Sequence, residues 1–321
     1  MNDVPRKYLA ISGGVGGAKL CLGLTHVLSE DEVMFVVNTG DDFSHMGLHI
    51  SPDLDTLMYT LAGLNNRDTG WGRDGETWQF IDAVKKLGGE AWFNLGDADL
   101  ATHVRRTELL RSGHTLDEVT TNMAAALGIR HRIVPMSNDP VRTCVHTREG
   151  SLAFQHYFVR DRCEPEVTGF DFVGADTAVP APEFKARLGD PSLAAIFLCP
   201  SNPYVSIDPI LSIPGVREGL AESTAPVIAV SPIVGGEAIK GPTAKMMREL
   251  SVPASAPAVA GHYGALLDGF IIDETDADSA AAVAALGMQT TVAQTVMVTL
   301  EDRIDLARVA VDFSFRLNPG K

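Results

Sequence analysis

The sequence predicts an α/β protein with a Rossmann-like, doubly wound and mostly parallel sheet that carries a small antiparallel β-rich insertion. Two observations predict this class. Short apolar runs alternate with helical patterns along most of the 321 residues, and polar tips rich in glycine, serine and aspartate follow the apolar runs. Such alternation is typical of parallel sheets covered by helices. In these sheets, ligands bind beyond the carboxyl ends of the strands.

The first strand, turn and helix place an anion site at that edge. Lys7–Ser12 is a β-prone run, residues 13–19 form a glycine-rich turn, and residues 20–28 have apolar side chains at helical spacing. A helix N-terminus offers free backbone N–H groups and a positive dipole end. A purely structural turn is the alternative. We predict that the following residues face a phosphate or nucleotide: Gly13, Gly14, Gly16, Gly17 and Lys19.

The glycine segment matches neither of two common nucleotide motifs. A P-loop has a lysine followed by a hydroxyl residue directly after its last glycine, whereas Lys19 follows Ala18 and precedes Leu20. The dinucleotide fingerprint would begin at Gly14 and have Lys19 in place of its last glycine. The second strand also ends at Asn38 rather than at an acidic residue. A dinucleotide-binding role is therefore disfavoured.

Further strands and helices follow in alternation. Strands are predicted at residues 33–37, 91–95, 132–135, 194–198, 226–230, 270–272 and 291–299. Helices are predicted at about residues 52–64, 77–87, 100–111, 116–127, 276–286 and 300–313. The helix at 52–64 has the typical start of an N-cap serine, Ser51, followed by Pro52 at the first helical position.

The residue pattern of the sequence changes between about residues 141 and 187. β-prone segments at 143–147, 151–159 and 168–172 are punctuated by prolines, which indicates antiparallel structure. We therefore predict a Rossmann-like, nucleotide-binding core of residues 1–140 and 190–321, interrupted by a β-rich insertion at 141–189. The whole is expected to form a single continuous catalytic unit.

Composition restricts the partners. A formal net charge of −15 argues against nucleic acid and anionic membranes, since both require basic surface. The four cysteines contain no C-x-x-C pair, which disfavours a disulfide scaffold or a zinc site and fits a reducing compartment. Residues 1–7 lack an apolar leader, and no run is long enough to cross a membrane. We expect a cytoplasmic protein whose partners are small molecules.

Aspartates gather at the predicted ligand edge. Asp41 and Asp42 follow the second strand, Asp53 and Asp55 begin a helix, and Asp97 follows another predicted strand. Capping and turn formation account for any one of them. A whole set would repel unless a hard cation lay among the carboxylates, and Mg²⁺ suits because it takes oxygen ligands and keeps phosphate in its shell. The candidate metal ligands are Asp41, Asp42, Asp53 and Asp97, and spacing leaves open which of them bind.

Later loops supply further phosphate-binding candidates. They are Ser201, Asn202, Ser231, Gly235, Gly236 and Lys240. Ordinary turn chemistry is the alternative for the serine, glycine and proline residues of these loops. The histidines show no metal-binding spacing. Trp71 lies in a polar loop and is a candidate to cover a flat ring.

Together these motifs resemble one family, the 2-phospho-L-lactate transferases (CofD, called FbiA in mycobacteria) of coenzyme F-420 biosynthesis. The resemblance runs from near residue 8 to about residue 312. The segments that carry it are SGGVGGAKL from Ser12, NTGDD from Asn38, SPDLDT from Ser51, LGDADLATH from Leu95, MSNDPVRT from Met136, FQHYFV from Phe154, PSNPYVSIDPIL from Pro200 and SPIVGGEAIKGPTAKMM from Ser231.

The resemblance implies transfer of a phosphorylated three-carbon acid from a guanosine diphospho donor to a deazaflavin. The acid would be lactate, enolpyruvate or glycerate. The acceptor would be the ribityl hydroxyl of 7,8-didemethyl-8-hydroxy-5-deazariboflavin (Fo), so that coenzyme F-420-0 or its dehydro or glyceryl analogue forms and GMP leaves. The resemblance also implies a requirement for Mg²⁺ and a homodimer.

The resemblance also assigns residues to the acceptor. It places Asp55 and Asn94 in contact with the deazaflavin, with Trp71 as the further candidate. Archaeal relatives can carry lysine at the position of Asn94, and threonine and proline where this chain has Gly17 and Ala18. Asp55 and Asp42 are the catalytic candidates, Asp55 because a carboxylate near the ribityl hydroxyl can orient it or accept its proton.

Two other functions stay open. The first is a nicotinamide- or sugar-nucleotide-dependent enzyme on the same fold, which the broken fingerprint at Lys19 disfavours. The second is a nucleotide- or deazaflavin-binding regulatory protein without catalysis, because fold alone does not fix function. Several acidic tips at the ligand edge favour metal-assisted chemistry over simple binding.

Overall fold

The computed structural model describes residues 6–318. Residues 1–5, which belong to the segment expected to lack a leader, and residues 319–321 lie outside the described residues. The fold is built around a seven-stranded sheet in which every pairing is parallel. None of the helices in the described part of the chain is long and apolar enough to cross a membrane.

Fourteen strands occur among residues 6–318. In chain order they are β1 (Lys7–Ser12), β2 (Val33–Val37), β3 (Phe43–His45), β4 (Leu48–Ile50), β5 (Arg132–Pro135), β6 (Arg142–Thr147), β7 (Gly150–Ala153), β8 (Val167–Val173), β9 (Leu193–Leu198), β10 (Val227–Val230), β11 (Ile233–Val234), β12 (Glu237–Ala238), β13 (Gly269–Asp273) and β14 (Gln289–Ala293). The main sheet has the order β14-β13-β10-β9-β1-β2-β5. The chain therefore builds one half outward from β1 through β2, then returns to the other side of β1 with β9.

Twelve α-helices occur in the same range. They are α1 (Gly14–Val27), α2 (Pro52–Leu61), α3 (Gln79–Lys86), α4 (Asp97–Arg111), α5 (Leu116–Ala126), α6 (Pro182–Leu188), α7 (Asp208–Leu211), α8 (Val216–Glu222), α9 (Thr243–Glu249), α10 (Ala256–Tyr263), α11 (Ala280–Ala284) and α12 (Leu300–Leu317). Short π-helical turns lie at His156–Arg160 and Pro203–Ile207, and 3₁₀ turns lie at Gly264–Leu266 and Glu274–Ser279.

Both faces of the sheet are buried, which is why its strands read as continuous apolar runs. Alternate residues of β1 enter separate cores: Leu9 and Ile11 pack on one side, Tyr8 and Ala10 on the other. The first core is covered chiefly by α6 to α10 and the insertion, and the second by α1, α2, α5 and α12. The predicted doubly wound α/β class is confirmed.

The predicted antiparallel insertion is confirmed as a three-stranded sheet of order β7-β6-β8. Its extent is shorter than the sequence predicts around residues 151–159, because β7 ends at Ala153 and a π-helical turn follows at His156–Arg160. The division into a core of residues 1–140 and 190–321 and an insertion at 141–189 stays a prediction.

Three further local predictions are wrong. The strand predicted at residues 291–299 ends at Ala293, where β14 ends. Residues 91–95 form a loop rather than a strand: their apolar character comes from aromatic packing, with the ring of Trp92 4.8 Å from that of His156 and the ring of Phe93 4.9 Å from that of Phe43. The alanine-rich stretch at 276–286 is divided between a kinked 3₁₀ turn and the short helix α11.

Candidate active site

A cavity of about 850 Å³ opens at the carboxyl edge of the sheet. It lies over the point between β1 and β9 where the strand order reverses, which is where open α/β sheets bind ligands. The segments after β1, β9, β10 and β14 contribute to it together with α2 and α4. The predicted site residues that line it are Gly13, Gly14, Gly16, Lys19, Asp41, Asp53, Asp55, Trp71, Asn94, Ser201, Asn202, Ser231 and Lys240.

One side of the cavity, which we call the glycine wall, consists of residues 13–16 and Ser201. The sequence pattern predicted a glycine-rich turn before the first helix. In the structure helix α1 already begins at Gly14, so the glycine segment is the first part of the helix. Gly14 has a φ of +62°, a left-handed conformation that glycine adopts at little cost. A Cβ on Gly16 would lie against the main-chain carbonyl of Pro200. The absence of side chains therefore lets the helix start pack directly on the loop after β9.

The loop after β9 is joined to the glycine wall by hydrogen bonds. The Ser201 hydroxyl donates to the carbonyl oxygen of Gly13 at 2.8 Å and accepts the Gly13 N–H at 3.2 Å. The Asn202 side-chain oxygen accepts from the N–H of Tyr204 at 3.0 Å and so caps the turn that follows. Both side chains line the cavity as well as fixing its shape.

Three of the predicted phosphate-binding glycines are not among the described residues that line the cavity. Gly17 faces the hydroxyls of Ser12 and Ser201 below the surface. Gly235 and Gly236 lie in the connection between β11 and β12, where both have positive φ and the Gly235 N–H donates to Asp276. These positions are explained by turn geometry and close packing.

The two predicted lysines line the cavity but donate to main-chain carbonyls. Lys19 Nζ lies 2.7 Å from the carbonyl oxygen of Met297. Lys240 Nζ lies 2.6 Å from the carbonyl oxygen of Thr69 and 3.1 Å from that of Asp68. Burial lowers the pKa of Lys19, and the positive charges of Arg303 and Lys240 lower it further. Lys240 thus joins the segment 239–243 to the loop that contains Trp71.

Asp41 and Asp53 are buried carboxylates beside the glycine wall. Asp53 accepts from the N–H of Gly14 at 2.8 Å and from the side-chain amide of Asn38 at 3.0 Å. Burial raises the pKa of Asp53 to about 6, although these hydrogen bonds act in the opposite direction. Burial, reinforced by the charge of Asp53, raises the pKa of Asp41 well above its usual range. Among the described residues, nothing hydrogen bonds to Asp41 Oδ1.

The other two predicted metal ligands have different surroundings. Asp42 Oδ2 accepts from Ser51 Oγ at 2.8 Å and lies 3.0 Å from His49 Nε2. Asp97 accepts from Thr77 Oγ1 at 2.5 Å and from two main-chain N–H groups at the start of α3. The hydrogen bond from Thr77 lowers the pKa of Asp97. Neither aspartate is among the described residues that line the cavity, so their assignment as metal ligands has no geometric support.

A second part of the cavity lining consists of polar residues of α2 and α4. We call the set Asp55, Asp99 and His103 the acidic wall. Asp55 forms an ion pair with Arg106, and the nearest nitrogen of His103 lies 3.6 Å from Asp55 Oδ2. His103 Nε2 lies 3.1 Å from Asp99 Oδ2, and the Tyr59 hydroxyl donates to Asp99 Oδ1 at 2.6 Å. Burial raises the pKa of Asp55, against the opposing effect of the Arg106 charge.

Sequence reasoning missed His103 and Arg106, and it assigned no role to Asp99, which follows the same predicted strand as Asp97. They recur at spacings of four and three residues on α4, and Asp55 and Tyr59 show the same four-residue spacing on α2. Residues at these spacings share one helix face. A search for polar residues at helical spacing would have found them, because a polar stripe on a buried helix face requires a partner.

Two of the three predicted deazaflavin contacts, Asn94 and Trp71, are exposed at the mouth of the cavity, whereas the third, Asp55, is buried. Asn94 lines it from the loop before α4, next to Phe93. Trp71 lines it from the loop between α2 and α3 and is 57% exposed. An exposed tryptophan ring at a cavity mouth has an open face on which a flat ligand can stack.

The fold and cavity define an α/β protein with a ligand site at the switch point of a doubly wound sheet. The model of the family described as 2-phospho-L-lactate transferase CofD matches residues 9–308 of this chain. The chain belongs to the CofD family, which is a family of transferases of coenzyme F-420 biosynthesis, as the sequence resemblance predicted.

Relatives with two different names are similar over nearly their whole length. The chain is 39% identical to the phosphoenolpyruvate transferase of Kitasatospora aureofaciens, with 98% of this chain and 99% of that protein covered. It is 38% identical to the 2-phospho-L-lactate transferase of Methanosarcina mazei, with 94% and 99% covered.

Solved structures add support for the fold. A crystal structure of a UPF0052 family member from Bacillus halodurans superposes with a TM-score of 0.63, covering 96% of this chain and 99% of that one. Because the sequence identity is 14%, this likeness concerns the fold.

Proposed function

We propose that the protein transfers a phosphorylated three-carbon acid from a guanosine diphospho donor to the ribityl hydroxyl of Fo, with release of GMP. The observation that carries this proposal is the cavity itself, which brings together a helix N-terminus and buried carboxylates at the switch point of the sheet. The helix N-terminus suits a diphosphate, and a buried carboxylate suits an attacking alcohol. The names of the relatives supply the class of acid, phosphoenolpyruvate or 2-phospho-L-lactate.

A magnesium ion fits the residues beside the glycine wall. Asp41 and Asp53 are both buried, both line the cavity and interact electrostatically, and Asp41 Oδ1 accepts no hydrogen bond from any described residue. Two such carboxylates need either a proton or a cation between them. Asp41 and Asp53 would therefore hold the ion, which when bound neutralises charge on the phosphate oxygens. This set is narrower than the four aspartates predicted from the sequence.

The chain's own residues perform the remaining tasks. Main-chain N–H groups in the first turn of α1, beyond those of Gly13 and Gly14 that donate to Ser201 and Asp53, bind the non-bridging oxygens of the diphosphate. Asp55 accepts a hydrogen bond from the ribityl hydroxyl and takes its proton as the oxygen bonds to the distal phosphorus. The bond from that phosphorus to the bridging oxygen breaks, and GMP departs with the electron pair. Asp42, held by His49 and Ser51, acts from behind the cavity by fixing the loop that carries Asp41.

Trp71 and Asn94 bind the deazaflavin ring at the cavity mouth in this proposal. Ser201, Asn202 and Ser231 shape the nucleotide side. The homodimer and the cytoplasmic location that the resemblance implies are part of the same proposal.

The test is a reaction of the protein with Mg²⁺, Fo and each of the lactyl, enolpyruvyl and glyceryl donors in parallel. We expect GMP and the phosphorylated deazaflavin in equal amounts, with one donor preferred, measured by chromatography and mass spectrometry. Reactions without Fo serve as the control, because hydrolysis of the donor alone would also release GMP. No GMP with any of the three donors, together with tight Fo binding, would favour a binding protein without catalysis.

A further inference from the structure

Helices α2 and α4 face each other through a network of charged side chains. Asp55 and Tyr59 extend from α2, and Asp99, His103 and Arg106 extend from α4. Arg106 is 1% exposed and is the largest fully buried side chain among the described residues. A buried arginine is uncommon unless it is paired, so its partners indicate what it does.

Arg106 contacts both oxygens of the Asp55 carboxylate. Its Nη1 lies 3.1 Å from Oδ2, and its Nη2 contacts Oδ1. The same Nη1 lies 3.3 Å from His103 Nδ1. A planar guanidinium that donates to both oxygens fixes the plane of the carboxylate as well as its position. Lysine, which carries a single ammonium group, can balance the charge but cannot fix that plane.

This network has the arrangement of a positioning device rather than of a second metal site. Asp55, Asp99 and His103 lie close enough together to hold a cation. Both Asp55 oxygens, however, contact Arg106, and the two Asp99 oxygens lie within hydrogen-bonding distance of the Tyr59 hydroxyl and of His103 Nε2. A cation would have to displace the buried Arg106 guanidinium from Asp55. Among the described residues, Arg106 has no second carboxylate within ion-pair distance.

We propose that Arg106 is a positioning residue that holds the Asp55 carboxylate in the orientation required to receive the hydroxyl of the acceptor. This inference depends on the proposed role of Asp55 in the transfer. Arg106 approaches the carboxylate from α4, and Asp55 also lines the cavity, so an acceptor can reach the carboxylate while the guanidinium holds it. Arg106 itself does not line the cavity and has no contact with substrate in this scheme.

The test compares Arg106→Lys and Arg106→Met with the wild-type protein. Misplacing a reacting group by about 1 Å can cost about 100-fold in rate, so we expect both variants to lose kcat on that order. The KM for Fo rises severalfold, whereas the KM for the donor stays within about twofold, because the glycine wall is intact. Binding of Fo, followed by its own fluorescence, weakens in parallel with the rise in KM.

Arg132 provides a matched control. Like Arg106 it forms ion pairs through its guanidinium, in this case with the carboxylates of Asp117 and Glu183, but it is not among the described residues that line the cavity. Arg132→Lys and Arg132→Met should lower the melting temperature and leave kcat and both KM values unchanged. If the loss of any ion pair were enough to lower activity, the Arg106 and Arg132 variants would show the same changes in kcat and KM.

Folding and the role of Asp55 are tested separately. In Arg106→Met the Asp55 carboxylate is left buried without its partner, so the melting temperature should fall. The double variant Arg106→Met, Asp55→Asn removes that charge and should recover the melting temperature but not the activity. Wild-type kcat and Fo affinity in Arg106→Lys would overturn the inference. Wild-type turnover in Asp55→Asn, with a loss in Arg106→Lys, would instead overturn the proposed role of Asp55.

Discussion

The two walls of the cavity achieve their shape by opposite means. The glycine wall consists of main chain and small residues, and its geometry depends on the absence of Cβ atoms where α1 meets the loop after β9. The acidic wall consists of ionisable side chains whose positions depend on pairing across α2 and α4. In the proposed function the glycine wall binds through main-chain N–H groups, which every residue except proline has, whereas the acidic wall acts through groups that only particular side chains provide.

Because of this difference, the two walls should respond differently to substitutions. The glycine wall should tolerate changes of charge nearby but not the addition of a methyl group. The acidic wall should tolerate small changes of volume but not the loss of a charge from a buried pair. Substitutions of matched size on the two walls therefore distinguish their roles.

The largest effect is expected at Asp55, on the acidic wall. Losing a positioned acid–base group typically costs about 10²–10⁴ in rate, so we expect Asp55→Ala to lower kcat by at least the smaller factor. The measurement is single-turnover formation of the phosphorylated deazaflavin at saturating donor. Donor binding should persist, because Asp55 lies outside the glycine wall. Near-native turnover would remove Asp55 from the mechanism.

The next effect is expected at Gly16, on the glycine wall. A Cβ there meets the Pro200 carbonyl, so we expect Gly16→Ala to lower the free energy of unfolding by about 1–3 kcal/mol and to weaken donor binding. Gly261 in α10 is the matched control, because its Cβ would meet only a methyl group of Leu286 at 4.0 Å. Gly261→Ala should be neutral or stabilising in thermal unfolding. Equal losses in both variants would contradict the role of close packing at Gly16.

A smaller effect concerns pH and Mg²⁺. The folded pKa of Asp53 is raised from 3.8 to about 6, so the metal-free protein should lose stability as pH rises from about 4 through 6. Mg²⁺ binds the ionised carboxylate, and it should therefore raise the melting temperature at pH 7.5 but not at pH 5. The measurement is thermal unfolding with and without Mg²⁺ at both pH values.

Two variants sharpen this experiment. Asp53→Asn should abolish the response to Mg²⁺ and reduce the pH dependence, part of which comes from Asp41, whose pKa is also raised by burial. Asp97→Asn should keep the response, because Asp97 accepts hydrogen bonds at the start of α3 and does not line the described cavity. Loss of the response in Asp97→Asn alone would restore Asp97 to the metal site.

The sequence predicts the glycine wall better than the acidic wall, and the reason is physical. Parallel strands bring their carboxyl ends to one edge, so residues such as Gly13 and Ser201 can be placed there from local patterns alone. The resemblance to a family adds the chemistry. What local patterns do not contain is the partner of each side chain, since Asp55 and Arg106 are 51 residues apart in sequence.

The incorrect predictions from the sequence have the same cause, which is that local patterns do not contain tertiary contacts. Asp53 and Asp97 look alike as aspartates at helix starts, yet one lies beside the cavity and the other accepts N–H groups from α3. Residues 91–95 resemble a strand because their side chains are apolar, but aromatic contacts across loops account for that character. Tertiary contacts decide these cases, and a single sequence does not record them.

The smallest effect is expected at Lys240, which lines the cavity outside both walls. Its ammonium group joins the segment 239–243 to the carbonyls of Asp68 and Thr69, in the loop that carries Trp71. Exposed interactions of this kind contribute up to about 1 kcal/mol, so Lys240→Ala should raise KM roughly two- to fivefold. Because the joined loop serves the cavity mouth, we expect the KM of both substrates to rise, whereas Lys185→Ala on α6 should change neither. If only the KM of the donor rises, and salt diminishes the rise, Lys240 instead neutralises phosphate charge beside the glycine wall.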